Sequence, residues 1–336
     1  MNRKAATQIF LAFLAAPALF SRANAALPDD EVSADKVVGA LENTFGVTPG
    51  QRRNHTKGLC AVGEFVGNQE TMKYSRSALF SGKTIPVVAR FSIAGGNPKV
   101  PDTAKNPRGM ALEFKLPDGG LQHITMINTP MFGAAVPQTF LDATIASKPD
   151  PATGKPDPEK MKAFRASHPD SLAQIKYLDE HNPPPSFANS AYFGIHTFKF
   201  INKEDKTTLV RWRFVPQDGE KQLTNEQLKT MPGNFLQQGF IGRTHKGPVR
   251  WDMVVSIGEP GDNETNPTVL WPENRKQVKA GTLTISEAMP QDGAACEKIN
   301  YDPLVMADGI APSQDPILLF RSPAYAVSFG KRLQGK

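Results

Sequence analysis

The stretch Pro86-Val-Val-Ala-Arg-Phe-Ser92 is typical of a β-strand, because it is rich in β-branched and aromatic residues. Six further segments have a similar composition, with loop residues between them, at 110–116, 123–127, 198–201, 208–214, 251–256 and 281–285. Helices are predicted between these strands, at 137–147, 156–168, 170–180 and 225–240. The helices do not alternate regularly with the strands. The pattern therefore predicts an α+β fold, an antiparallel β-barrel of about eight strands with surrounding helices.

The chain before residue 70 has a different character. Residues 27–70 are expected to be mostly loop and short helix, with an amphipathic helix over Glu31–Phe45. The extreme N-terminus has a basic start at Arg3 and Lys4, an apolar run of 12 residues and a small-residue cleavage box at 23–25. Residues 1–25 are therefore predicted to be a signal peptide, residues 26–336 to form a single domain, and the mature protein to be periplasmic.

Composition and charge exclude several classes of protein. Hydrophobic residues make up 39% of the chain and charged residues 21%, which is typical of a globular protein rather than a disordered one. The predicted signal peptide carries three basic residues and no acidic one, so its removal halves the formal net charge of +6. The remaining charge gives no reason to expect nucleic-acid binding. No long apolar run follows residue 20, so no membrane span is expected.

General sequence motifs leave the function unassigned. The chain has no P-loop, no dinucleotide-binding glycine motif, no nucleophile elbow and no zinc-protease motif. Its six histidines do not have the spacing of metal ligands. The only two cysteines, Cys60 and Cys296, would be free to form a disulfide in an oxidising compartment, but the sequence leaves open whether they meet. Covalent attachment of a c-type haem is excluded, because no Cys-x-x-Cys-His occurs.

One local cluster that could carry chemistry is Arg52-Arg53-Asn54-His55-Thr56-Lys57-Gly58. The neighbouring cations disfavour a charged His55, so the imidazole is expected to stay neutral and able to act as a base. Taken alone, the same run also fits a solvated basic loop.

A second cluster is Arg321-Ser-Pro-Ala-Tyr325, followed by Arg332. The dipeptide Ser322-Pro323 predicts an N-cap and the first residue of a helix. A helix that begins there carries Tyr325 and Arg332 on nearly the same face. Taken alone, this segment also fits a short terminal helix with an exposed tyrosine.

With the blocks between them, the two clusters resemble the haem catalases, and in particular the short exported catalase-related peroxidases. The matching blocks follow the family's order, at 52–58, 90–92, 106–114, 128–132, 196–199, 302–303, 309–310 and 321–332. The resemblance implies a catalase-like, haem-binding domain over residues 26–336. Because the chain ends 11 residues after Tyr325, the C-terminal helical region of full catalases is expected to be lacking.

The resemblance also implies roles for individual residues. Tyr325 would be the axial iron ligand of a noncovalent haem b, and Arg321 would donate to its oxygen. His55 would act on the peroxide as general base and then general acid, with Ser92 fixing the orientation of its imidazole. The other matched residues would hold the cofactor, Phe132 by packing on the macrocycle and three arginines by pairing with its propionates: Arg52, Arg90 and Arg332.

The segment that matches the distal strand departs from the family pattern. Full catalases place two asparagines before the Thr-Pro of this strand, and the first assists peroxide binding, whereas this chain has Ile127-Asn128. Either Asn128 takes the role after a one-residue slip, which would turn it to the other face of the strand, or the amide is missing. We favour the missing amide. Asn54 is a second departure, because full catalases commonly carry an apolar residue before the distal histidine.

These departures shape the expected activity. Catalase turnover needs a second peroxide in a tightly ordered channel, so the expectation is a haem peroxidase with weak or no catalase activity. It would reduce hydrogen peroxide or organic hydroperoxides with small organic electron donors, as a monomer or homodimer. One alternative is a hydroperoxide-rearranging enzyme resembling allene oxide synthases. Others are a non-enzymatic periplasmic barrel that binds haem or a lipid, and a purely structural barrel, which would not explain why four arginines accompany Tyr325.

Overall fold

The computed structural model describes residues 32–336, so the predicted signal peptide over residues 1–25 lies outside the described residues. The strands are β1 (Gly58–Gly67), β2 (Thr84–Ile93), β3 (Arg108–Lys115), β4 (Leu121–Ile127), β5 (Tyr192–Ile201), β6 (Thr207–Pro216), β7 (Val249–Ile257), β8 (Gln277–Pro290) and β9 (Ile310–Pro312). The α-helices are α1 (Ala34–Phe45), α2 (Pro137–Ala146), α3 (Pro158–Ser167), α4 (Leu172–Glu180), α5 (Asn225–Thr230), α6 (Phe235–Thr244) and α7 (Pro316–Leu333). Within residues 32–336, none of the helices is both long and apolar enough to cross a membrane.

The first eight strands form a closed antiparallel barrel. Neighbouring strands follow the order β4-β3-β2-β1-β8-β7-β6-β5, and the barrel closes where Ile127 of β4 pairs with Phe193 of β5. The short β9 pairs with β5 outside this ring. The predicted α+β fold, with an antiparallel barrel of about eight strands and helices around it, is confirmed.

The expectation of loop and short helix before residue 70 is wrong at β1, which lies between β2 and β8 in the barrel. Glycines weaken its strand pattern, but the fold requires them. A Cβ atom on Gly63 would lie 2.0 Å from the carbonyl oxygen of Thr284, and one on Gly67 would lie 2.1 Å from that of Leu79. Glycine within a strand often marks such a close approach of a second backbone.

Two predicted helix boundaries also need correction. α7 does not start at Ser322-Pro323 but at Pro316, and Pro323 lies inside the helix. Asp315 is the N-cap, and its carboxylate accepts hydrogen bonds from two backbone N–H groups of the first turn. The helix predicted over 225–240 is divided into α5 and α6, because the segment 231–234 contains Pro232 and Gly233.

Large apolar side chains from alternate positions of the strands fill the barrel interior. Among the most deeply buried are Phe65, Phe91, Phe114, Phe214 and Trp251. Because successive side chains of a strand point to opposite faces, the residues between these core positions face outward. On β2, β3 and β4 this outer face is covered by helices, and the candidate site lies there.

Candidate functional site

The candidate site is a large cavity between the outer face of β2–β4 and the helices α1, α2 and α7. Its empty volume, counted out to the open mouth, is about 1350 Å³. The barrel wall consists of two rows of paired residues, Ser92–Gly109–Ile127 and Arg90–Ala111–Thr125. The helices contribute mostly apolar side chains, among them Val37, Leu41, Phe140, Phe320 and Phe329.

His55 enters the cavity from the loop that precedes β1. It is one of two non-glycine residues in the described chain with a positive φ, at 53°. Its Nδ1 lies 2.9 Å from Ser92 Oγ. The ring packs against Gly109, where a Cβ atom would lie 2.9 Å from the imidazole and 2.8 Å from Ser92 Oγ. The absence of a side chain at Gly109 therefore makes room for the imidazole on the barrel wall.

The surroundings of His55 favour a neutral imidazole. Burial, together with the positive charges of Arg90, Arg321 and Arg52, lowers its pKa from 6.5 to about 3. Its Nε2 forms no hydrogen bond with any residue in the range 32–336. A neutral ring with one nitrogen fixed by Ser92 leaves the other nitrogen available for proton transfer.

Tyr325 lies on α7 and belongs to a hydrogen-bonded chain of four residues. Arg321, one helical turn earlier, donates from Nη2 to the phenol oxygen at 2.8 Å. Its Nη1 lies 3.1 Å from His196 Nε2, and His196 Nδ1 lies 2.7 Å from Asp315 Oδ2. Because a guanidinium can only donate, Nε2 accepts and Nδ1–H donates to the carboxylate. The buried Asp315 thus sets the tautomer of His196, and that tautomer holds the guanidinium of Arg321 on the phenol of Tyr325.

The imidazole of His55 and the guanidinium of Arg321 lie at different levels of the barrel wall. His55 packs at Gly109, whereas Arg321 Nη2 donates to Thr125 Oγ1 at 2.6 Å. Thr125 pairs with Ala111, two residues further along β3 than Gly109, which corresponds to about 7 Å along the strand. His55 and Tyr325 therefore line one cavity, with their hydrogen-bond partners at two separate levels.

Three arginines form a cationic cluster beside the cavity: Arg52, Arg90 and Arg332. All three are anchored to the segment 291–301. Arg52 donates to the carbonyl oxygens of Cys296 and Ile299, at 2.9 and 2.8 Å. Arg90 donates to Gln291 Oε1 at 2.8 Å, and Arg332 donates to Ile299 at 3.3 Å.

No salt bridge within residues 32–336 neutralises the arginine cluster. Burial and then the charges of Arg90 and Arg332 lower the pKa of Arg52 to about 8. Burial lowers the pKa of Arg90 to about 10. No carboxylate within residues 32–336 forms a salt bridge with these three arginines, and Arg332 Nη1 is buried without a hydrogen-bond partner there. An acidic ligand would compensate this charge and satisfy the free donor.

The two cysteines, whose pairing the sequence leaves open, form a disulfide. It joins Cys60 of β1 to Cys296 in the segment that anchors the arginines. Tyr301, at the end of that segment, packs against the disulfide and against Val88. The anchor of the cationic cluster is thus tied covalently to the barrel.

The structure brings most of the residues predicted from sequence to this one cavity. The residues in its walls include His55, Ser92, Arg52, Arg90, Phe132, Arg321 and Tyr325. Arg332 reaches the same cluster through the carbonyl group of Ile299. Asn128 does not line the cavity. Its Oδ1 accepts the backbone N–H of Arg108 at 2.7 Å, and it lines a separate pocket, whereas Ile127 lines the candidate site.

Sequence reasoning missed the residues that hold the arginine side chains of the site in position. His196 and Asp315 hold Arg321, Thr125 receives its hydrogen bond, and Gln291 holds Arg90. Thr125, His196 and Gln291 lie on other elements, far in sequence from the arginines they hold, whereas Asp315 is the N-cap of α7 itself. The local signals were the block 196–199, to which no role was attached, and Asp315-Pro316, a helix N-cap pattern as good as Ser322-Pro323.

Comparison with known proteins gives one consistent result. The family model described as catalase matches residues 48–336. A catalase-related peroxidase from Synechococcus elongatus is 59% identical over 304 residues, which cover 90% of this chain and 90% of the relative. A catalase-related peroxidase from Mycolicibacterium paratuberculosis is 32% identical over 295 residues, covering 88% of this chain and 93% of the relative.

A solved structure described as a bacterial catalase has the same fold. It superposes with a TM-score of 0.78 at 27% sequence identity, over 85% of this chain. The matched region is 58% of that structure's chain. The barrel and the helices around it are therefore common to both proteins.

Proposed function

The chain belongs to the catalase family and is an oxidoreductase that acts on peroxide, and on this basis we propose that it is a haem b peroxidase with weak or no catalase activity. It would reduce hydrogen peroxide or organic hydroperoxides with small organic electron donors. The observation that carries this proposal is the single cavity lined by His55, Tyr325, Arg52 and Arg90, with Arg332 beside it.

The residues present fit a haem. Its two propionates would compensate Arg52, Arg90 and Arg332, which form no salt bridge with a carboxylate within residues 32–336 and leave one buried donor unsatisfied. Its apolar macrocycle would contact Phe132 and the apolar side chains of the helices. The phenol of Tyr325 would bind the iron, because a tyrosine oxygen is one of the axial ligands that hold haem iron. Neither cysteine is available for a thioether bond to the haem, because both are in the disulfide.

Arg321 prepares the phenol for this role. Arg321 donates to the phenol oxygen at 2.8 Å, and the hydrogen bonds to His196 and Thr125 restrict the guanidinium to that position. The buried carboxylate of Asp315 holds His196 in turn.

His55 carries out the proton transfer. When bound, the haem would supply the redox chemistry for cleavage of the peroxide O–O bond, with two electrons from the organic donor as the reductant. The neutral imidazole accepts a proton from one peroxide oxygen and returns it to the oxygen that leaves as water or alcohol. Such general acid–base catalysis typically accelerates a reaction by about 10²–10⁴-fold. Ser92 keeps the ring in position at 2.9 Å.

The same cavity supports the low catalase activity. An apolar side chain, Ile127, occupies the wall position next to Gly109, where the family pattern has an asparagine. The helices add apolar side chains to the walls. Such walls favour organic hydroperoxides and organic donors over a second, ordered hydrogen peroxide.

The test is the absorption spectrum and steady-state turnover of the purified protein. We expect a ferric haem spectrum and oxidation of an organic donor that far exceeds oxygen evolution. Dominant oxygen evolution would identify a true catalase instead. Rearranged products from a lipid hydroperoxide without donor oxidation would favour the allene oxide synthase-like alternative, and bound haem without turnover would favour a carrier.

We also propose that the mature protein is periplasmic. The N-terminal sequence pattern supports export, and the Cys60–Cys296 disulfide suits an oxidising compartment. Cell fractionation and N-terminal sequencing test this proposal, and a cytoplasmic protein that retains residues 1–25 would contradict it. Size-exclusion chromatography tests the expected monomer or homodimer.

A further inference from the structure

We propose that Asn54 supplies the amide hydrogen-bond donor beside His55, in place of a residue on β4. The inference rests on the proposed function, because it assigns to Asn54 the positioning of peroxide at the haem site. The family pattern expects this donor on the distal strand, and the fold leaves that strand without one.

The side chains at the end of β4 cannot provide the donor. Ile127 lines the cavity but has no polar atom. Asn128 follows it, and neighbouring side chains of a strand point to opposite faces. Its Oδ1 accepts the backbone N–H of Arg108 at 2.7 Å, and it lines a different pocket, beside Tyr177 and His181. The amide of Asn128 is therefore held outside the candidate site.

Asn54, in contrast to Asn128, lines the candidate site. It precedes His55 directly and lies in the wall of the same cavity. Its Oδ1 accepts two backbone N–H groups, from His55 and from Gly95, each at 2.8 Å. These two hydrogen bonds fix the orientation of the amide, because only the oxygen can accept from both donors. The side-chain nitrogen forms no hydrogen bond with any residue in the range 32–336 and is not one of its fully buried polar atoms.

The fixed oxygen also supports the backbone of His55. A positive φ of 53° is an uncommon conformation for histidine. The hydrogen bond from its own N–H to Asn54 stabilises that turn. One asparagine thus holds the loop with its oxygen, while its NH₂ group stays unbonded on a residue that lines the same cavity as the imidazole.

The chemistry of the site makes such a donor useful. A neutral imidazole can accept a proton from peroxide, but it does not fix the second peroxide oxygen. An amide NH₂ is a neutral donor, so it can orient an oxygen acceptor without changing its protonation state. Peroxide would then be positioned between the ring nitrogen of His55 and the amide of Asn54.

The test uses fluoride, a small acceptor that binds ferric haem and whose binding is followed by absorption. Asn54→Leu removes both the oxygen and the donor. Asn54→Asp keeps an oxygen for the two backbone N–H groups but removes the donor. We expect the fluoride Kd to rise roughly tenfold in both variants, with the melting temperature of Asn54→Asp close to that of the wild type. An unchanged fluoride Kd in Asn54→Asp would overturn the proposal.

Two further variants separate the donor from other effects. Asn128→Asp makes the same chemical change at an asparagine whose oxygen also accepts a backbone N–H, and we expect it to leave the fluoride Kd unchanged. The double variant Asn54→Leu/Ile127→Asn restores an amide from β4 and should recover most of the affinity. If Asn128→Asp reproduced the loss, or if the double variant recovered nothing, the assignment to the amide of Asn54 would be wrong.

The outcomes also distinguish this inference from the proposed function. A wild-type protein that takes up no haem contradicts the proposed function itself. A protein that binds haem and fluoride normally, with no dependence on residue 54, contradicts only the role of Asn54.

Discussion

Arg52 donates a hydrogen bond to the carbonyl oxygen of Cys296, the residue that the disulfide joins to the barrel. The guanidinium that lines the candidate site is therefore anchored to a segment that the disulfide holds in place. The same segment anchors Arg90 through Gln291 and Arg332 through Ile299. Its position decides whether three cations converge on one acidic ligand.

Loss of the disulfide is expected to weaken both the fold and haem binding. Changing both cysteines to serine, Cys60→Ser with Cys296→Ser, removes a constraint that typically contributes about 2–4 kcal/mol to the free energy of unfolding. The haem Kd should rise because the segment 291–301 becomes less restricted. Denaturant unfolding of the apoprotein and haem titration measure the two effects.

A reducing agent provides the matched control for this prediction. It should weaken haem binding by the wild-type protein and have no further effect on the double variant, which contains no cysteine. If haem affinity stayed at the wild-type level in the double variant, the disulfide would serve the stability of the barrel alone.

Changing Asp315 to asparagine is expected to disrupt the hydrogen bond on Tyr325 from a distance. In Asp315→Asn, the remaining oxygen can still cap α7, as Oδ1 does now. The new NH₂ group would face His196 Nδ1, so the imidazole would carry its proton on Nε2, opposite a donor nitrogen of Arg321. Two opposed donors should displace Arg321 and lower the free energy of unfolding by roughly 1–3 kcal/mol.

The ferric haem spectrum reports this change, because it depends on the axial ligand. Asp302→Asn is a suitable control, since the Asp302 carboxylate bonds to Ser322 on another side of α7. The control should leave the spectrum unchanged while Asp315→Asn shifts it. Identical spectra for the two variants would show that His196 does not control Arg321.

The fold was predictable from sequence to a large extent, because the composition and alternation of residues in a strand indicate which of its faces is buried. Strand β1 was not predicted, because Gly63 and Gly67 interrupt its pattern. Both positions require glycine, since a neighbouring backbone leaves no room for a Cβ atom. The start of α7 was missed for a different reason. Asp315-Pro316 and Ser322-Pro323 are equivalent local signals, and the start of the helix lies at the first of them.

The site was predictable only where the local sequence carried a signal. The prediction that cations favour a neutral His55 agrees in direction with its lowered pKa, but the responsible charges differ. Arg52 contributes, whereas Arg90 and Arg321 come from distant segments. The neighbour Arg53 is held by Glu42 instead. The local sequence predicts that the surroundings of His55 are cationic, but only the fold determines which arginines lie close to the imidazole.

The lowered pKa of His55 predicts a specific pH dependence. The unfolded chain takes up a proton at this residue below about pH 6.5, whereas the folded apoprotein does so only near pH 3. Within that window the unfolded state binds more protons, so the free energy of unfolding falls as the pH falls. His55→Ala should therefore flatten the decrease in stability between pH 6.5 and 3. Unfolding at several pH values checks this, and parallel curves for variant and wild type would contradict it.

Adding a methyl group at Gly109 is expected to reduce activity without loss of haem. The Cβ atom of Gly109→Ala would lie 2.9 Å from the imidazole of His55 and 2.8 Å from Ser92 Oγ, which forces both side chains to move. The tyrosine and arginine side chains that would hold the haem lie elsewhere in the cavity, so its binding should change little. We expect donor oxidation to fall by about 10²-fold or more, the lower range for a lost general acid–base catalyst. Gly39→Ala is the control, because nothing beyond its two chain neighbours and the local backbone of α1 lies within 4 Å of the added Cβ. Full peroxidase activity in Gly109→Ala, with haem bound, would mean that the position of His55 on the barrel wall does not limit catalysis.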